Sequence, residues 1–255
     1  MSGAKRSRKD KECYRDKKII GHIRFNVFKI LTLRKFIFIS MKKAVIFDMD
    51  GVLVDNRDIH IDAFEIFCDR HGLKFDRAII LKSFGQVNKQ IFENLLGKGT
   101  LTDQQIIDYG LEKEDIYREI FDKKIEPAKG LVRFLKSLKE RGVKIAVGSS
   151  GPLKNVQYVL DRCGIAEYFD AIAHGDIVKN GKPDPEIFLL AAELLGVTPD
   201  ECIVFEDAFV GIEAANRAGM TIIALATTFP REQLTGYDML IDDFTEIDSS
   251  ILDKF

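Results

Sequence analysis

From Lys42 onward, apolar positions follow two alternating rhythms. Short runs rich in β-branched and aliphatic residues read as strands: KKAVIFD, KIAVGSS, DAIAHGD, CIVFED, TIIALAT and a final short MLIDD. Between them GLVRFLKSLKERG, PLKNVQYVLDRCG, DPEIFLLAAELLG and VGIEAANRAG carry apolar residues at helical spacing, and each stops at or just before a glycine. Asp184 is placed to cap the third of these helices and Ser150 to cap the second. Strands alternating with helices predict a parallel sheet covered on both faces. One stretch breaks the alternation. From about Asn56 to Pro127 the pattern is almost wholly helical, with segments at 59–72, 89–96 and 103–123. It follows the first strand directly, so it is read as an inserted α-helical cap (56–127) on a core formed by 41–55 and 128–255.

Charge changes the picture at one end only. Residues 1–40 carry a net +9 and the remaining 215 residues a net −11, within a whole-chain balance of −2. The second half of the basic arm, IIGHIRFNVFKILTLRKFIFIS, is apolar with interrupting Lys and Arg, a pattern suited to an interfacial helix or a targeting segment. The preferred expectation is a disordered extension, or sequence upstream of a natural start at Met41. The arm lacks the small-residue cleavage site of a secretory signal. The four cysteines (Cys13, Cys68, Cys163 and Cys202) form no C-x-x-C pair, which points to reduced, cytoplasmic usage rather than to a disulfide scaffold or zinc site. No uncharged apolar stretch approaches the ~20 residues needed to span a bilayer. Nucleic-acid binding would rest on the basic arm alone and is not expected.

Candidate chemistry collects at the strand exits, where open parallel sheets bind ligands. The first strand ends in Asp48, followed by Asp50 and Gly51. The KIAVG strand ends in Ser149 and Ser150, the loop after DAIAHGD carries Lys182, and CIVF runs into Glu206 and Asp207. A carboxylate at Asp48 can attack phosphorus and form an aspartyl-phosphate. Asp48 and Asp207, with Glu206 nearby, make an oxygen-rich site suited to Mg2+. Lys182 supplies a positive point charge, and Ser149 can donate to a phosphoryl oxygen. Asp50 is placed to protonate a leaving oxygen and to deprotonate the incoming water. Gly51 permits a tight turn.

FDMDGVLVD, VGSSG, GKPDPEIF and VFEDAFVGIEAANRAGM resemble the four motifs of the haloacid dehalogenase superfamily, in the branch containing β-phosphoglucomutase and small sugar-phosphate phosphatases. The resemblance covers about 42–228. It implies a Rossmann-like α/β core with a helical cap, Asp48 as nucleophile and Asp50 as acid/base. It also implies that Ser149 and Lys182 hold the transferring phosphate, and that Mg2+ is held by Asp48, the Asp50 carbonyl and Asp207, with Glu206 supporting or ligating.

Specificity in this architecture lies in the cap. His60 follows the first motif near the hinge, where it contacts substrate or steadies the hinge; the second is preferred. His71 and His174 read as ordinary packing or surface residues, Lys154 as a solvated helix residue, and the phenylalanines as core. SFGQVNKQIFENLLG (83–97) is the segment that reaches the substrate. Asn88 stands where β-phosphoglucomutases typically place an arginine for a distal phosphate, and Lys89 is the residue able to compensate. A mutase must grip two phosphates and a phosphatase one. The expected activity is therefore Mg2+-dependent hydrolysis of a small phosphorylated metabolite, a sugar phosphate, with a β-phosphoglucomutase-like isomerase as the alternative. An inactive binding module is the remote third reading, disfavoured by the intact set Asp48, Asp50, Lys182 and Asp207.

Overall fold

A computed structural model describes residues 42–255; the basic arm, with its interfacial-helix pattern and Cys13, lies outside the described residues. The strands are β1 (Ala44–Phe47), β2 (Lys144–Gly148), β3 (Ala171–Ala173), β4 (Cys202–Glu206), β5 (Thr221–Leu225) and β6 (Met239–Ile241). They form one sheet in the order β3-β2-β1-β4-β5-β6 with every pairing parallel. The protein is thus an α/β protein with a Rossmann-like sheet.

Each central strand is a continuous buried apolar run, as a sheet covered on both faces requires. Its residues alternate between two cores. Val45, Phe47, Ile145, Val147, Ile203 and Phe205 face one side, while Ala44, Ile46, Ala146, Cys202 and Val204 face the other. The first side is filled by aromatic rings. Phe47 and Phe205 stack at 5.0 Å, and Phe134 and Phe244 close over them.

The helices after β1 are α1 (Arg57–His71), α2 (Arg77–Lys82), α3 (Asn88–Leu96) and α4 (Asp103–Phe121); the rest are α5 (Leu131–Glu140), α6 (Leu153–Arg162), α7 (Glu186–Leu195) and α8 (Phe209–Ala218). In α5, Leu131, Phe134, Leu135 and Leu138 are buried, the single stripe of a helix lying on a sheet. The chain leaves the sheet through Leu53 and returns at Ala128, and these two are joined by a backbone hydrogen bond of 2.8 Å. The four-helix segment is therefore tethered at a narrow neck beside the carboxyl end of β1. No helix among the described residues is long and apolar enough to cross a membrane.

Two caps differ from expectation. Ser150 does not cap α6. Its hydroxyl donates instead to the Gly85 carbonyl in the loop before α3, at 2.6 Å, and Asp176 accepts the N–H of Leu153. Asp184 lies one residue ahead of the N-cap position of α7, which Pro185 occupies, although its carboxylate still accepts the Glu186 N–H.

The aromatic cluster yields a stability prediction. Phe134 is fully buried against three other rings. Phe134→Ala should lower unfolding free energy by about 3–5 kcal/mol, read from urea denaturation.

Candidate active site

The sheet order reverses between β1 and β4, and Phe47 is in register with Phe205 there. Asp48 follows the first of these strands, Glu206 ends the second, and Asp207 comes next, so three carboxylates meet at the switch point. Lys182, from the loop after β3, enters between them. Its Nζ donates to Asp48 Oδ1 and to Glu206 Oε1, both at 2.7 Å, and its side chain is fully buried. Glu206 Oε2 accepts the backbone N–H groups of Asp207 and Ala208 at 2.7 Å, at the start of α8.

Burial and the neighbouring charges set the protonation of this cluster. Burial pushes the Asp48 carboxyl up to about 7, with Lys182 pulling it down and Glu206 and Asp50 adding repulsion. Asp207 is pushed well above the carboxylate range by burial, then by Glu206 and Asp48. Burial disfavours the Lys182 ammonium, but Asp48 and Glu206 outweigh it and raise its pKa. One ammonium cannot balance three carboxylates. Ligand oxygens of Asp48, Glu206 and Asp207 lie within 4.8 Å of one another, so this buried group can hold a metal ion.

Two glycines make the cluster possible. Gly51 adopts φ +78°, and a Cβ there would overlap the Asp207 carboxylate. Gly211, inside α8, leaves the space that the Glu206 carboxylate fills.

A second polar group begins at Asp50. Its Oδ1 accepts from Asn56 Nδ2 at 2.6 Å and lies 3.2 Å from His60 Nε2. His60 Nδ1 is 3.2 Å from Lys113 Nζ. Lysine ammonium only donates, so Nδ1 accepts and Nε2 carries the proton that points at Asp50. The imidazole stacks on Tyr117 at 4.0 Å. Lys113 Nζ also donates to Glu114 Oε1 at 2.7 Å. Burial opposes charge on Asp50, but His60, Asn56 and Lys113 hold its pKa below the ordinary range. The same holds for Glu114, where burial is outweighed by Lys113, His60 and Asn88.

Asp48, Asp50, His60, Asn88, Lys113 and Glu114 all line one cavity, whose apolar wall includes Phe64, Ile80 and Phe84. Ser149 is fully buried beside it and accepts the Gly151 N–H at 3.0 Å. Lys89 stands apart. It pairs with Asp103 at 3.5 Å on a neighbouring groove and is not among the residues lining the Asp48 cavity. His71 pairs with Glu112, and Lys154 with Asp115 across to α4.

Sequence reasoning overlooked Asn56, Lys113, Glu114, Tyr117 and Asn155. One signal was available. Lys113 sits on the stripe of α4 that also carries Ile116 and Tyr117, and a charged residue on a core stripe is rarely buried unless paired.

The profile of the haloacid dehalogenase-like hydrolases matches residues 42–219. The chain belongs to this family. This hydrolase is 32% identical to the phosphorylated carbohydrates phosphatase of Thermotoga maritima over 178 residues, 70% of this chain and 82% of that protein. It is 34% identical to the fructose-1-phosphate phosphatase YqaB of Escherichia coli over 182 residues, 71% of this chain and 94% of that protein. The crystal structure of β-phosphoglucomutase from Clostridium difficile matches with a TM-score of 0.76 at 29% identity, covering 84% of this chain and 96% of that one.

The two glycine environments predict opposite outcomes. A helix-interior Gly→Ala change ordinarily stabilises by about 0.5–1 kcal/mol. Gly110→Ala in α4 should do so, because its Cβ would meet Asn88 at an ordinary 3.5 Å. Gly211→Ala should instead destabilise by about 1–3 kcal/mol, by displacing the Glu206 carboxylate from its buried bonds. Urea denaturation of both variants checks the contrast. The raised pKa values of Asp48 and Asp207 predict a pH effect as well. Native protein binds protons there that the unfolded chain has released, so the stability these two groups contribute is fully present below the unfolded carboxylate pKa and is lost as pH rises through about 7. In metal-free protein the unfolding temperature should fall between about pH 5 and about pH 8, and added Mg2+ should restore more of it at the higher pH.

Proposed function

We propose that this hydrolase is a Mg2+-dependent phosphatase of a small phosphorylated metabolite, a sugar monophosphate, acting through an aspartyl-phosphate at Asp48. The observation that carries the reading is the position of Asp48. It stands at the carboxyl edge of the sheet, tied through one oxygen to buried Lys182, and opens onto the cavity that Asp50 shares. Names of the relatives support the substrate class.

Asp48, Glu206 and Asp207, with the Asp50 carbonyl, would hold the Mg2+. The ion would neutralise charge on the nucleophile and the transferring phosphate. Lys182 fixes the Asp48 carboxylate and adds positive charge beside the phosphoryl oxygens. Ser149 would donate a hydrogen bond to one of them. Asp50 is ionised in the described arrangement, the state needed to deprotonate an attacking water. An incoming phosphate dianion raises the pKa of a neighbouring carboxyl, which suits Asp50 to hold the proton given to the leaving oxygen. His60, held by Lys113 and stacked on Tyr117, would keep Asp50 aimed into the cavity. Residues 56–127 would act as the cap and supply the far wall; 41–55 and 128–255 would form the catalytic core.

Hydrolysis is favoured over a mutase because the described cavity lining contains one Lys or Arg, Lys113, already paired with Glu114. Phosphorus NMR with Mg2+, β-glucose 1-phosphate and a trace of glucose 1,6-bisphosphate separates the two. Growth of inorganic phosphate is expected, whereas glucose 6-phosphate without free phosphate would make the protein a mutase. Asp48→Asn should abolish turnover, and Asp50→Asn should lower kcat by about 10²–10⁴-fold. Full activity in Asp48→Asn would overturn both readings.

A further inference from the structure

Glu114 is a carboxylate at a position where the catalytic cluster has no use for one. It lies on α4, is 4% exposed, and lines the same cavity as Asp48 and Asp50. Two side chains separate it from Asp50, in the order His60 then Lys113. Its Oε1 accepts from Lys113 Nζ at 2.7 Å and from Asn88 Nδ2 at 2.8 Å. Its Oε2 accepts from Asn155 Nδ2 of α6 at 2.6 Å. Asn155 is itself oriented by Arg118, which donates to its Oδ1.

This arrangement removes positive charge from the Asp48 cavity itself, leaving Lys89, Arg118, Lys154 and Lys179 on the neighbouring groove. Lys113 is the one Lys or Arg among the described residues of the cavity lining, and Glu114 cancels it. An ionised carboxylate only accepts hydrogen bonds, and it has about four acceptor positions. Three are used here, which leaves one on Oε2. A phosphate oxygen offers another acceptor and another negative charge to that position; a hydroxyl offers a donor. Asn88 and Asn155 spend amide N–H groups on Glu114 rather than presenting them to an anion.

We infer that Glu114 is a specificity-determining residue, one that excludes a second phosphate from the cavity and accepts a hydroxyl from the neutral, hydroxylated part of a monophosphate ester. This deepens the proposed phosphatase reading and rests on the cavity assignment made there. A merely structural ion pair with Lys113 would alter stability and leave ligand choice alone.

The test compares ligand selectivity in a background that cannot turn over. Asp48→Asn and the double variant Asp48→Asn/Glu114→Gln are titrated calorimetrically, with Mg2+, against glucose 1-phosphate, fructose 1-phosphate and the bisphosphate of each sugar. Asp48→Asn should bind a monophosphate more tightly than its bisphosphate. Glu114→Gln keeps the shape and removes the charge, and should shift the ratio toward the bisphosphate by about fivefold or more. A smaller shift in folded double variant overturns the inference, as does tighter binding of the bisphosphate by Asp48→Asn, or binding of neither class. Should the double variant not fold, Asp48→Asn/Glu114→Ala is titrated in its place, with the same shift expected and the same result overturning the inference. Hydrolysis by the wild-type protein is assayed separately. Charge-dependent selectivity without phosphate release would sink the phosphatase reading and leave the role of Glu114 standing.

Discussion

A fully buried ammonium between two buried carboxylates is costly unless every charge is matched, because several kcal/mol of hydration is lost per ion. Lys182 offsets part of that cost by binding Asp48 and Glu206 at equal distance while lying over the Phe188 ring of α7. These partners come from the ends of β1 and β4 and from a helix on one face of the sheet. The loop carrying Lys182 is therefore held to the switch point by electrostatics that no single strand pairing supplies. Much of the local geometry follows. Glu206 holds Lys182 through one oxygen and two backbone N–H groups through the other, so α8 begins close by, with a glycine at Gly211.

The helical segment is joined to the core by polar contacts at several points. Leu53 and Ala128 close its neck, Ser150 reaches the loop before α3, and Asn155 of α6 is bonded by both Glu114 and Arg118 of α4. These contacts are directional polar bonds, unlike the interlocked rings beneath the sheet. The carboxylate cluster thus stands on an apolar sheet, while the opposing wall is fixed by polar contacts.

How far the sequence discloses this varies with the physical cause. The parallel sheet was legible because buried strands are continuous apolar runs and their helices carry one apolar stripe. Asp48, Lys182, Glu206 and Asp207 were legible because each directly follows such a run or sits in a loop between two. Ser150 was misread as a cap because local spacing favours one, and its actual partner, Gly85, is 65 residues away. Lys89 and Asn88 are adjacent in sequence, but helical geometry sends their side chains to different partners, Asp103 and Glu114. Lys113 and Glu114 were passed over in a helix rich in charge. Which charges are solvated there depends on packing against α1, with which α4 shares its buried face.

The two charged centres of the cavity have opposite designs. Around Asp48, carboxylates outnumber the one cation, an arrangement able to hold a metal ion. Around Glu114 the charges balance, and the groups that could have bound an anion bind the carboxylate instead. The relay from Asp50 through His60 and Lys113 joins the centres, so Lys113 serves both by orienting the imidazole and by neutralising Glu114. Moving positive charge to the distal wall would disturb the contacts that hold Asp50 at the near one. On the proposed role of Glu114, a wall wired in this way suits neutral, hydroxylated groups, because the amides of Asn88 and Asn155 are already committed to the carboxylate.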